Sequence, residues 1–152
     1  MKKTDIVVTP ADRGLYDRFH FASAVRAGEL LLCSGQLGIG DDNRPLADPE
    51  AQFTRAFERV GSVLAQAGVG FGDVVEITTF HVGLQQHLGL FARVKDRFLA
   101  DPYPAWTAIG ISELAFPGAL VEIRATARLQ RAKVPRPSGR KAPRRKATRR
   151  RR

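Results

Sequence analysis

Residues 103–129, "YPAWTAIGISELAFPGALVEIRATARL", decide how the fold is read. Two β-prone runs flank a Phe-Pro-Gly turn, so the stretch predicts two strands joined by that turn. In the second run Ala119, Val121, Ile123, Ala125 and Ala127 alternate with Leu120, Glu122, Arg124, Thr126 and Arg128. A period of two sends the first set to a core and the second to the opposite sheet face. Trp106 falls near the edge of the first strand, and we expect it on the face that carries Glu122. An indole beside a carboxylate would then form the floor of a ligand site.

Upstream, "VVEITTFHV" at 74–82 is rich in β-branched residues and predicts a strand. "QQHLGLFARVKDRFLA" predicts an amphipathic helix that buries Leu88, Phe91, Val94 and Phe98, and the prolines of "DPYP" end it. An earlier helix is punctuated at both ends. Asp48 can cap it, Pro49 suits its first position, Glu50 complements its dipole, and Gly68 stops it. Between them Phe53, Phe57, Val60, Leu64 and Ala67 form one apolar stripe. "DDNRPLADPE" is a loop, "FHFASAVRAGELLLCSGQLGIG" a hairpin turning at 27–29, and "DIVV" a short strand. The order predicts an α+β fold, a mixed sheet with two helices on one face. The other face, bare and partly apolar, predicts self-association.

The chain has 152 residues, 43% of them hydrophobic, which suits one buried domain. The formal charge of +10 is unevenly placed. Twelve of the 25 Lys and Arg lie in 131–152, whereas all 15 acids precede that segment, leaving the body at −2. We therefore expect a folded domain over 1–130 and a disordered basic tail over 131–152. Arg144, Arg145, Lys146, Arg149, Arg150, Arg151 and Arg152 would bind nucleic-acid phosphates without sequence readout. The tail's lack of aromatics argues against base stacking. The single cysteine, Cys33, lies in an apolar run and excludes an internal disulfide; with no signal-peptide core and no span-length apolar segment, a cytoplasmic protein that avoids the membrane is expected. His20, His81 and His87 have no metal-ligand spacing, and "GQLGIGDDN" lacks the pattern of a phosphate loop.

Five segments, "AVRAGELLLCSGQLG", "EAQFTRAFERVGSVLAQAG", "DVVEITTFHV", "PAWTAIGISEL" and "GALVEIRATA", occur in an order and spacing that resemble the Rid/YjgF (reactive intermediate deaminase) family. The likeness spans roughly 20–129. It implies a chorismate-mutase-like fold and a homotrimeric barrel with ligand clefts at the subunit interfaces. In the deaminase branch those clefts hydrolyse imines and enamines with water and no cofactor. There an arginine after a Pro-Ala pair grips the substrate carboxylate, and a glutamate in the last strand positions water. Some relatives are described as ribonucleases, but no histidine-lysine cluster suited to RNA cleavage is present.

This sequence keeps the glutamate as Glu122 and matches the Ser-Gly-Gln segment at Ser34, Gly35 and Gln36. Phe21 takes the place of the family's usual tyrosine, and Trp106 that of the arginine. Losing an arginine fork forfeits a charge-assisted hydrogen bond worth about 1.5–3 kcal/mol. The leading expectation is thus a homotrimer that binds a small organic ligand with weak, altered or absent imine hydrolysis. A rival is an active hydrolase in which Glu122 activates water and Arg124 serves as the anion anchor. A third reading is a nucleic-acid-associated protein acting through its tail. The residues alone leave Trp106 open to simple interface packing, and Glu122 to a solvated charged strand face.

Overall fold

The computed structural model describes residues 1–129. The expected tail, with Arg144, Arg145, Lys146 and Arg149 to Arg152, lies outside the described residues. A seven-stranded sheet runs in the order β1 (Ile6–Val7), β2 (Ala24–Ala27), β3 (Leu30–Cys33), β7 (Val121–Arg128), β5 (Val74–Val82), β6 (Ala105–Ile111). A short β4 (Gln36–Leu37) also pairs with β7. Every pairing is antiparallel except β5 with β6, whose crossover carries α3 (Leu84–Lys95). The expected mixed sheet of an α+β fold is therefore present.

The strand pair that decided the reading is not a hairpin. β6 and β7 both form, but β5 lies between them, parallel to one and antiparallel to the other. Strand propensity marks where strands lie, whereas partner choice is settled by which pairing lets α3 cover the sheet.

α2 (Pro49–Gln66) forms where its punctuation predicts. The Asp48 carboxylate accepts a hydrogen bond from the Ala51 amide at 2.8 Å, Pro49 opens the helix, and Gly68 turns away with φ +81°. Its buried stripe stacks Phe57 on Phe98 with centroids 4.9 Å apart and sets Phe53 edge-on to Phe91 at 5.6 Å. Gln52 within that stripe is also buried. Its amide donates to the carbonyls of Leu46 and Gly118 and accepts from the Leu120 amide, tying the helix to the approach of β7.

α3 is shorter than expected, and its buried face is rotated. Leu88 is 39% exposed, while Phe91 and Val94 are buried and His87 packs edge-on to Phe53. At 100° per residue the run 87, 91, 94, 98 makes a tight stripe, and Leu88 lies roughly 90° from its centre. One further helix, α1 (Arg13–Phe19), was not anticipated. Few of its residues are apolar and none is buried, so it carries little periodic signal.

α2 and α3 cover one face of the sheet. The other face carries Glu76, Thr78 and Phe80 of β5, Glu122, Arg124 and Thr126 of β7, and exposed Leu30, Leu32 and Ile109. Among the described residues, no helix is long and apolar enough to cross a membrane.

Candidate functional site

The site is built where β3 gives way to β4. Leu32 pairs with Thr126, yet Gln36 pairs with Ile123, so the β3–β4 chain carries one residue more than β7 across this interval. That bulge pushes Ser34 and Gly35 out of the ladder. Ser34 is pinned twice: its amide donates to the Ser23 carbonyl at 2.9 Å and its hydroxyl to the Ala22 carbonyl at 2.7 Å. Gly35 leaves the gap that Glu122 occupies, since a Cβ there would overlap the carboxylate. A side chain at that position would displace the Glu122 carboxylate, so the close approach and not the backbone angle favours glycine there.

Glu122 lies on β7 between Leu37 and Phe80 in register. It is half-buried, has no hydrogen-bond partner among the described residues, and its carboxyl is held above the ordinary range by loss of solvent. Phe21 follows α1, whose last residue hands over to His20 in the left-handed conformation at φ 58°. Together these elements enclose a cleft of about 580 Å³ lined by Phe21, Ser34, Gly35 and Glu122, with Leu15, Phe19, Leu37, Ile39 and Phe116 as apolar walls. A buried Asp12–Arg59 pair closes one side. The family-implied set Phe21, Ser34 and Glu122 is thus brought together.

Trp106 is not with them. It lies in register with core residue Ile77, on the helix-covered face, and so on the opposite side of the sheet from Glu122. Its indole nitrogen donates to Thr79 Oγ1 at 3.0 Å, its ring packs 5.8 Å from Phe91, and the Lys95 ammonium stands 5.2 Å from its centre. The expected pairing of Trp106 and Glu122 on one face is therefore corrected. Alternation fixes parity within a strand, but β6 is apolar at both parities (Trp106 and Ala108 against Ile109 and Ile111), so its sequence could not say which set faces the helices.

Arg124 shares the open face with Glu122 but is exposed and lies outside the cleft wall. The cation that does line the cleft, Arg59, was missed. It is on α2 next to the stripe residue Val60, where a lone arginine reads as a solvated flank. Its partner, Asp12, is 47 positions away in the sequence.

The remaining candidates behave as buried scaffold. His81 is fully buried, meets Thr79 Oγ1 through Nε2 at 2.8 Å, and is pushed down to about 4 by burial and by His87. It is a neutral imidazole at physiological pH. Burial pushes the Cys33 thiol up to about 11, so it is not a nucleophile at neutral pH. Among the described residues, no cluster of His, Cys, Asp and Glu could hold a metal ion.

Comparison with known proteins agrees with this fold. Residues 15–129 match the family model described as Endoribonuclease L-PSP. The chain belongs to that family, the Rid/YjgF group. It is 39% identical over 124 residues to the RutC family protein YjgH of Escherichia coli, covering 80% of this chain and 93% of that one. The solved structure of protein YJGH superposes with a TM-score of 0.77 at 34% identity, over 84% of this chain and 97% of that one. RidA from the Antarctic bacterium Psychrobacter superposes at 0.67 with 27% identity, over 72% and 88%. Membership rests on the folded body: the matched region begins in α1 and ends at the close of β7.

Proposed function

We propose that this Rid/YjgF family member is a cytoplasmic homotrimer that binds a small organic molecule in the Phe21–Ser34–Glu122 cleft, with weak, altered or absent imine and enamine hydrolysis. The observation that carries this reading is Trp106. At the position where the deaminase branch has its arginine, the side chain donates its one N–H to Thr79 of its own scaffold and offers no charge. The exposed apolar side chains of the open face support closure by further copies of the chain. No cofactor is needed for such binding.

The test is turnover. Small 2-imino acids generated in the assay should be hydrolysed about 10- to 150-fold more slowly than by an arginine-bearing relative, the factor expected for one charge-assisted hydrogen bond. Turnover equal to the relative's would overturn the proposal. A second reading, a working hydrolase, is favoured by Glu122 itself: a half-buried carboxyl with a raised pKa suits general acid/base work on water. On that reading Glu122→Gln abolishes whatever turnover the wild type shows.

A further inference from the structure

Arg59 supplies the only cation among the described residues that line the cleft. Its side chain is 13% exposed and is held from behind. Nη2 donates to Asp12 Oδ1 at 2.6 Å, and the other oxygen of Asp12 accepts from the Ser23 hydroxyl at 2.6 Å. That hydroxyl accepts from the Thr9 amide at 3.1 Å, and the Thr9 hydroxyl accepts from the Asp12 amide at 3.2 Å. Both carboxylate oxygens of Asp12 are thereby engaged, with its side chain 5% exposed. The guanidinium is not saturated. Five N–H groups are available to it, one serves Asp12, and the buried Nε has no partner. A buried donor left unpaired is costly, and no described residue supplies a partner for this one.

We infer that Arg59 is the anion anchor of the cleft, and that the ligand is a carboxylate carried on an apolar body. This rests on the cleft reading above and moves the anchor from the β6 position, filled by Trp106, to helix α2. The ligand carboxylate accepts from the N–H groups that Asp12 leaves free, as the planar guanidinium fork favours. Its apolar body lies against Phe19, Phe21 and Phe116, which line the same cleft. Glu122 shares that enclosure. Ionised, it would repel a second carboxylate; protonated, it can donate to a polar group of the ligand.

Phenylacetate and its neutral isostere phenylacetamide provide the probe, titrated calorimetrically into the full chain. The acid should bind about tenfold tighter than the amide. In the wild type the Arg59 Nε–H resonance should shift with the acid and not with the amide, a readout that requires no variant to fold. Arg59→Gln should remove the advantage of the acid, and Arg59→Lys should keep part of it. Equal binding of acid and amide by the wild type, or a preference that survives Arg59→Gln, would show that the Arg59–Asp12 pair is only a strut between α2 and the Pro10–Asp12 turn. Binding of neither ligand would overturn the cleft reading and the anchor with it.

Discussion

Glu122 shows how one residue can be placed by sequence and given its chemistry by surroundings. Alternation along β7 already sends it away from the core. Its raised pKa comes from Leu37, Phe80 and the Ser34–Gly35 bulge closing around it, which strand parity does not reveal. A folded pKa above the unfolded value means that its stabilising contribution is complete below the unfolded pKa of about 4.3 and is lost as pH rises through the folded value. Glu122→Gln should therefore be more stable than wild type at pH 7, with the difference closing as pH falls through the folded value toward about 4. Urea denaturation across pH 4 to 8 reads this directly, and a constant difference across that range would show that Glu122 is not desolvated. Arg124 and Trp106 are the contrary cases at this scale. Each was legible as unusual, but only the tertiary structure shows that neither lines the cleft of its own chain.

At the scale of elements, the sequence was most informative where local chemistry acts alone. The Asp48 cap, Pro49 and the Gly68 stop act through hydrogen bonds and backbone angles inside a few residues, so α2 was readable end to end. α3 was readable as a helix but not in its rotation, because several phases of its apolar residues fit a buried face. The structure chooses the phase through contact with Phe53 and Trp106. The expected consequence is a contrast. Phe91→Ala should cost about 3–5 kcal/mol, as for other buried phenylalanines, whereas Leu88→Ala should fall near the roughly 0.5 kcal/mol of surface substitutions. Chemical denaturation of the two variants would separate these phases, and comparable losses would mean that Leu88 is buried in solution.

For the molecule as a whole, the open sheet face and the charge division carry the predictions. Burial of Leu30, Leu32 and Ile109 between copies should give three chains of 16.7 kDa in sedimentation equilibrium at micromolar concentration. A stable monomer would remove the trimer from the proposal. The twelve cations of 131–152 should bind duplex DNA or RNA without sequence preference. For about six phosphates neutralised, the log–log salt slope should be near −5. A chain ending at Gln130 should lose that binding, because the body carries −2. Unchanged affinity and slope after truncation would rule the tail out as a nucleic-acid arm. By itself the sequence determined the capping of α2 and the parity of β7, which follow from local propensity and periodicity, and the likeness to one family, which follows from five motifs in their order and spacing. The tertiary structure alone decided that β5 separates β6 from β7, that Trp106 lies beneath α3, and that Arg59 and Asp12 meet in the wall of the cleft. Those outcomes depend on which surfaces bury one another across long stretches of chain, and no local pattern encodes that choice.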